Sequence, residues 1–339
     1  MSDILTGTVV SSRIRLARNL KGHRFPAALD NFAEARDIIN KTFRSLDRFG
    51  KFRFLKISEA DPALVGALKE RYIISDALIK SRIGAVAYSE NGDLSVMVNE
   101  EDHIREQYLV RGGNLAGAFE KLNGLDKWLD VTLNFCRNER YGFITACPTN
   151  LGTGMRASMM TFLPAHVKLG KLDELNERAA DLNLTVRGAF GEGSDGTGFL
   201  YQISNEVTLG RSEISMINTV MQFVRDVAEH ENDLQQVYYR SDEMQAQDEI
   251  FRSLGILLYC RRISYNEFLA ALSNVKLGVS LGFIKVKSVS ALDDLMVCAR
   301  PCYLLELTNA EENSFASPVL RDEIRAKFVR ERLGSLIVK

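Results

Sequence analysis

Alternation of apolar and polar positions marks several strands in the first two-thirds of the chain. Residues 51–57, KFRFLKI, alternate in this way. The clearest local pattern is IGAVAYSENGDLSVMVNE, residues 83–100, where two β-rich runs flank Asn91-Gly92. Asn-Gly suits a type I′ hairpin turn. YGFITA (141–146), LTVRGAF (184–190) and FLYQIS (199–204) read as further strands. Hairpins imply a largely antiparallel sheet. Between the strands, Leu115, Phe119, Leu122, Leu129, Leu133 and Cys136 recur near the helical period, with Gly124 as a breaker. Residues 155–169 read as another helix.

After Arg211 the strand pattern fades. Ile214, Ile217, Met221, Val224 and Ala228 share one face of a long amphipathic helix. Ser264-x-x-Glu267 has the form of a capping box, Ser290 is placed to cap the next helix, and RDEIRAKFVRERL closes the series. The fold class is therefore α+β: a largely antiparallel sheet flanked by helices, followed by a helical C-terminal domain. A boundary near residues 238–245 divides the chain into 1–237 and 238–339. The six prolines mark no linker, so the two parts are expected to pack together.

Composition changes this picture little. The 339 residues are 46% hydrophobic and 26% charged, ordinary for a globular protein with a sizeable core. A net charge of −1 gives no bulk electrostatic reason to expect nucleic acid or an anionic membrane as partner. No apolar run suits a bilayer and the N-terminus lacks a secretory pattern. The five cysteines form no C-x-x-C pair, which fits a reducing cytoplasm, and no zinc-ligand spacing occurs. Arginine outnumbers lysine, 28 to 15. Its planar fork of donors suits oxyanions.

No Walker A string occurs. Gly191, Gly193 and Gly196 match G-x-G-x-x-G by letters, but strand residues follow where a dinucleotide site needs a helix. The segment reads as a glycine loop beside a site; taken alone, a plain hairpin turn explains it better. Four segments together say more. SSRIRLARN (11–19) carries Arg13 and Arg15, which share a side if the segment is extended. NEEDHIREQ (99–107) sets three acids in a row, and adjacent carboxylates need cationic partners. CPTNLGTGMRAS (147–158) joins a strand end to an expected helix start, with a thiol, glycine amides and Arg156. RGAFGEGSDG (187–196) supplies Arg187 and Glu192. Arginines and acids at four strand ends indicate a shared site for an anion and a cation.

On these residues the chain resembles the phosphagen (guanidino) kinase family, and within it the bacterial protein-arginine kinases. The NEEDH and CPTNLGTGMRAS strings carry the match, which spans about residues 9–231. The resemblance implies ATP as phosphoryl donor, with Mg²⁺ on its phosphates. It implies that Arg13, Arg15, Arg105, Arg156 and Arg187 hold the phosphates. Ser11, Ser12 and Ile14 belong to the first nucleotide segment, Ala157, Ser158, Met159 and Met160 to the third, and Gly188, Ala189, Phe190, Gly191 and Glu192 to the last. Glu101 matches the catalytic carboxylate with Glu100 beside it, Glu192 the second carboxylate facing the guanidinium, and Cys147 the active-site cysteine. Tyr72 falls where relatives place a histidine against the adenine. No metal ligand is assigned to the protein itself.

Departures from the family bear on the substrate. Kinases for free guanidino compounds carry a helical domain before the first arginine motif, which here begins at Ser11. Phe190 and Gly193 replace an arginine and a histidine of those enzymes. A more open rim would admit arginine side chains exposed on proteins. RDEIRA (321–326) resembles the phosphoarginine-sensing motif of the bacterial enzymes, implying that Arg321, Asp322, Arg325 and Ala326 form an allosteric site. The branch further implies a homodimer, a zinc-containing activator protein, the Clp protease machinery and a stress-response repressor as partners. Two alternatives stay open: a kinase for a free guanidino compound such as arginine, and an inactive phosphoarginine-binding module. The short N-terminal part and RDEIRA speak against the first, the full set of acids and arginines against the second.

Overall fold

The computed structural model describes residues 5–29, 32–189, 197–310, 314 and 317–338. Its centre is an antiparallel sheet of eight strands in the order β2-β3-β4-β5-β1-β8-β10-β9. The strands are β1 (Val9–Arg18), β2 (Arg53–Lys56), β3 (Ala85–Tyr88), β4 (Leu94–Val98), β5 (Ile104–Arg111), β8 (Met155–Phe162), β9 (Leu184–Gly188) and β10 (Leu200–Asn205). A separate two-stranded ribbon pairs β6 (Arg137–Asn138) with β7 (Gly142–Phe143). Helices α1 (Phe32–Phe49), α2 (Pro62–Glu70), α3 (Asp76–Lys80), α4 (Leu115–Leu133), α5 (Pro164–Lys168) and α6 (Leu172–Asp181) lie between strands. The C-terminal run is α7 (Glu213–Ser241), α8 (Glu243–Tyr259), α9 (Tyr265–Ser280), α10 (Val289–Cys298), α11 (Pro301–Thr308) and α12 (Pro318–Leu336).

The sheet buries one face. Ile14, Leu16, Ile104, Ala157, Met159 and Ile203 pack with Leu122, Leu125 and Leu129 of α4 and with Val220, Val224 and Val227 of α7 in one core. The alternation of β1 explains this: Ile14 and Leu16 turn to the helices, so Arg13 and Arg15 turn the other way. A second core joins the C-terminal helices to the sheet, because Phe162 of β8 and Leu200 of β10 pack with Leu257, Phe268 and Leu272. The Lys276 ammonium lies 4.2 Å from the Phe162 ring centroid and pairs with Asp293. Ser273 donates to the Gly198 carbonyl at 3.0 Å. The two parts do pack together.

Several local expectations fail for physical reasons. Residues 155–169 are not one helix: Met155–Phe162 is a central strand, and only Pro164–Lys168 is helical. Met and Ala favour helix intrinsically, but a strand flanked on both sides by β1 and β10 has tertiary pairing that overrides propensity. The 147–158 segment thus leads into a strand, not a helix. The turn at Asn91-Gly92 is not type I′, since Gly92 alone has positive φ there (+75°). Its amide bonds the Ser89 carbonyl at 2.9 Å, closing a four-residue loop instead. Of residues 141–146 only Gly142–Phe143 is strand. Gly124 does not break α4, which ends before Cys136, at Leu133. Ser288, not Ser290, caps α10 by accepting the Ala291 amide. Ile214 is 66% exposed although α7 does run unbroken past it. Ser264 caps α9 by accepting the Glu267 amide, as the capping-box pattern predicts.

Candidate active site on the open face of the sheet

Residues opposite one another across antiparallel strands point to the same face. Arg15 lies opposite Arg156, and Ala17, on Arg15's side of β1, lies opposite Arg105. Met160, on Arg156's side of β8, opposes Gln202, and Gln202 opposes Arg187. The register therefore brings Arg13, Arg15, Arg105, Arg156 and Arg187 to one face across β5, β1, β8 and β9, away from the helical core.

Short polar neighbours fix these side chains. Arg13 donates to Gln202 Oε1 at 2.6 Å, and Arg156 to Ser204 Oγ at 2.9 Å. Arg15 is enclosed by other guanidiniums, and its buried Nε has no hydrogen-bond partner among the described residues. Burial, then Arg105, lower the pKa of Arg13 to about 10. Burial followed by Arg13, Arg105 and Arg156 lowers Arg15 as well, and burial with Arg187 lowers Arg156. An orphaned N–H within a cluster of like charges is a donor set fitted to a polyanion such as a triphosphate.

The acidic loop between β4 and β5 stands beside this face. Asn99 takes φ +56°, and its buried side chain bonds the Ala35 carbonyl at 3.1 Å. The Glu100 carboxylate receives Arg105 Nη1 at 2.6 and 2.8 Å and the Ser75 hydroxyl. Burial acts to raise Glu100, but Arg105 and these hydrogen bonds prevail and lower its pKa. Glu100 is thus spent on holding Arg105. Glu101 is the acid of the pair that reaches solvent. Partial burial, then Asp102 and Glu100, raise its pKa, which suits a group that accepts a proton.

Asp102 joins the acidic loop to the cysteine segment. Its Oδ1 accepts Asn19 Nδ2 at 2.5 Å and the Ala146 amide, one residue before Cys147, at 2.6 Å. The His103 amide bonds Asn19 Oδ1 at 2.9 Å. His103 Nδ1 accepts the Leu20 amide at 3.2 Å, so its Nε2 carries the proton that it shares with the Arg24 carbonyl at 2.7 Å. Burial lowers its pKa to about 4, making it a neutral structural histidine. Cys147 is half-buried, with Sγ 3.0 Å from Thr149 Oγ1. Gly154, φ +61°, lets this segment return against β1: a Cβ there would lie 2.6 Å from the Ala17 carbonyl oxygen.

Two cavities open along the arginine face. One of about 140 Å³ is lined by Ser11, Arg13, Tyr72, Ser158, Met160 and Gln202. Tyr72, Ser11 and Met160 continue into a larger one of about 490 Å³ that reaches Met296 and Arg300 in the helical part. The strand register turns Ser12, Ile14, Ala157 and Met159 to the opposite side, so they shape these walls only through the backbone. Gly188 ends β9, and Ala189 lines the smaller cavity. Glu192, Phe190 and Gly191 lie outside the described residues.

Arg325 and Ala326 of the RDEIRA segment are buried in the C-terminal core. Arg325 donates to the carbonyls of Ala299 and Ile263, each at 2.9 Å, and pairs with Asp322. Arg321 and Asp322 are the two of the four that keep partial solvent access. Sequence reasoning also missed Ser75, Gln202, Ser204 and Arg300, whose neutral or remote side chains orient the charged ones. Strand register could have found Gln202 and Ser204; nothing local marks the others.

The family profile "ATP:guanido phosphotransferase, C-terminal catalytic domain" matches residues 34–234, more than half of the chain. The chain belongs to this family of phosphotransferases. A second profile, "Protein-arginine kinase McsB C-terminal domain", matches residues 243–338. A protein-arginine kinase of Geobacillus thermodenitrificans (strain NG80-2) is 41% identical over 96% of this chain and 90% of its own length. That of Bacillus subtilis (strain 168) is 38% identical over the same shares. Within the family, the chain thus falls in the protein-arginine kinase branch. Among solved structures, the substrate-free duplicated taurocyamine kinase from Schistosoma mansoni shares 27% identity at a TM-score of 0.59. That match covers 68% of this chain but 34% of the other, so the chain spans about a third of that duplicated protein. A lombricine kinase, 24% identical, shares the fold at a TM-score of 0.61, over 68% of this chain and 67% of its own.

Proposed function

We propose that this chain transfers the γ-phosphoryl group of ATP to the guanidinium of arginine side chains in proteins. The observation that carries this reading is the gathering of five arginines on one open sheet face beside the 100–102 acids. The branch of the family supports protein arginine as the acceptor.

In this reading Arg13, Arg15, Arg105, Arg156 and Arg187 bind the triphosphate and neutralise charge as it moves to the leaving oxygen. Mg²⁺ bound to the phosphate oxygens would supply further charge neutralisation. A guanidinium is cationic and a poor nucleophile. Glu101 takes a proton from the attacking nitrogen, an N–P bond forms, and the bond from phosphorus to the bridging oxygen breaks to release ADP. Glu192 fixes the plane of the acceptor, with Cys147 as a further contact to it. Positioning of this kind supplies much of phosphoryl-transfer catalysis.

The resemblance supports the wider roles that belong to the same reading. These are marking proteins for Clp-type proteolysis, inactivating a stress-response repressor, action in the cytoplasm, a homodimer and a zinc-containing activator. RDEIRA would sense phosphoarginine through Arg321 and Asp322, with Arg325 supporting them from beneath. The division into a catalytic part, 1–237, and a helical part, 238–339, is part of the proposal.

The test is to incubate the chain with labelled ATP and Mg²⁺, offering free arginine, creatine or an arginine-rich protein. Acid-labile, base-stable label on the protein alone is expected. Label on a free guanidine would replace the acceptor. No label, with or without an activator, would overturn the activity.

A further inference from the structure

We propose that Arg300, carried by the helical C-terminal part, is a positioning residue for the base end of the nucleotide cleft, acting through Tyr72. This rests on the nucleotide reading above. It makes affinity for the nucleoside, and not for the phosphates, depend on the helical C-terminal part of the chain.

Tyr72 follows α2 with φ +61°, a conformation that a bulky side chain adopts only when its surroundings impose it. The surroundings do so from two sides. From the sheet, Gln107 Nε2 donates to the Tyr72 carbonyl at 2.5 Å. From the helical part, Arg300 Nη2 donates to the Tyr72 hydroxyl, and the Arg300 guanidinium lies 4.4 Å from the Tyr72 ring centroid. Tyr72 lines both the small cavity holding Arg13 and the larger one holding Arg300. It is thus the wall between the phosphate-facing arginines and the C-terminal helices.

Arg300 is itself held firmly. Its Nη1 donates to the Glu70 carbonyl at 2.6 Å and its Nε to the Tyr265 hydroxyl at 3.3 Å. The Glu70 carboxylate accepts the Cys302 and Tyr303 amides at 3.1 and 2.8 Å, so α2 supplies the acceptors for the first turn of α11. Gly66 allows this approach, since a Cβ there would lie 2.6 Å from Cys302 Sγ. Behind the corner, Arg325 holds the Ala299 carbonyl at 2.9 Å. A guanidinium against one side of an aromatic ring fixes the ring and leaves its remaining surface to a stacking base.

The test uses the full-length chain and calorimetric binding of ADP and of inorganic tripolyphosphate, which has no base. Arg300→Ala is expected to weaken ADP about tenfold and raise KM for ATP equally, a change of one decade in affinity. Tripolyphosphate affinity and kcat should stay within about threefold of the parent, since the phosphate-binding arginines are untouched. Arg300→Lys should restore part of the loss. Tyr72→Phe removes a single oxygen and guards against misfolding; it should also weaken ADP and spare tripolyphosphate. Unchanged ADP binding in both variants would overturn the proposal. So would a parallel loss of both ligands in Arg300→Ala with Tyr72→Phe behaving as parent, because Arg300 would then be merely structural. If Arg156→Ala leaves ADP and tripolyphosphate binding intact, the nucleotide reading itself fails, a result separable from the other two.

Discussion

Arg15 and Arg156 stand directly opposite one another across the β1–β8 ladder, two like charges on the same face. Like charges in this position are destabilising. Burial and the neighbouring guanidiniums hold down the pKa of both. The face is therefore suited to a polyanion that would offset this repulsion. Arg15→Met should stabilise the ligand-free protein by about 1 kcal/mol in urea unfolding, while phosphoryl transfer falls by about 10³. Loss of stability together with retained transfer would contradict this.

Glu101 reaches solvent while Glu100 is engaged by Arg105 and Ser75, so the two acids have different expected phenotypes. Glu101→Ala should abolish transfer with an unchanged circular dichroism spectrum. Glu100→Ala should also slow transfer, but through a looser Arg105 and hence a weaker hold on ADP. Nucleotide affinity separates them: unchanged for the Glu101 variant, reduced for the Glu100 variant.

Asp102 is buried and accepts N–H groups from Asn19 and Ala146. Asp102→Ala leaves both donors without this acceptor, at a cost of about 1–3 kcal/mol for each unsatisfied group. Asp102→Asn retains one acceptor oxygen and should recover part of that stability in urea titration.

Burial lowers His103 to about 4, below the ordinary 6.5. Between these values the unfolded chain binds the proton and the folded chain does not, so stability rises with pH there. Lowering the pH from 7 to 4 should therefore remove about 3 kcal/mol at most, the loss beginning near 6.5 and levelling off near 4. His103→Asn should flatten that part of the profile.

Arg18, unlike its neighbours in the motif, is a structural residue. It pairs with Asp126 at 2.8 and 3.0 Å, bonds the Ala17 and Thr153 carbonyls, and lies 3.5 Å from the Phe143 ring centroid. Removing one partner of a buried pair strands the other charge. Asp126→Ala should cost about 3–5 kcal/mol in thermal or urea unfolding, with no specific effect on nucleotide affinity in the folded fraction.

The alternation in β1 made the facing of Arg13 and Arg15 legible, because inward Ile14 and Leu16 determine where the arginines go. Hairpin strands and the long α7 were legible for the same reason: their periods are local. The helix expected over 155–169 failed because β8 owes its form to β1 and β10, which are distant in sequence. The acid loop was visible as a charge cluster, but the division of labour between Glu100 and Glu101 was not. That division depends on Ser75 and Arg105 arriving from other elements. RDEIRA announced paired arginines on a helix, yet Arg325 is withdrawn into the core by two carbonyls that no local pattern marks.

Phe162 and Leu200 complete the second core only when α8 and α9 lie over them. A fragment ending near residue 234 would carry a bare greasy strip at Phe162 of β8 and Leu200 of β10, an invitation to self-association. The catalytic sheet and its helical companion should thus be expressed, purified and engineered as one object. Swapping the C-terminal part between relatives calls for transplanting the matching residues of β8 and β10 along with it.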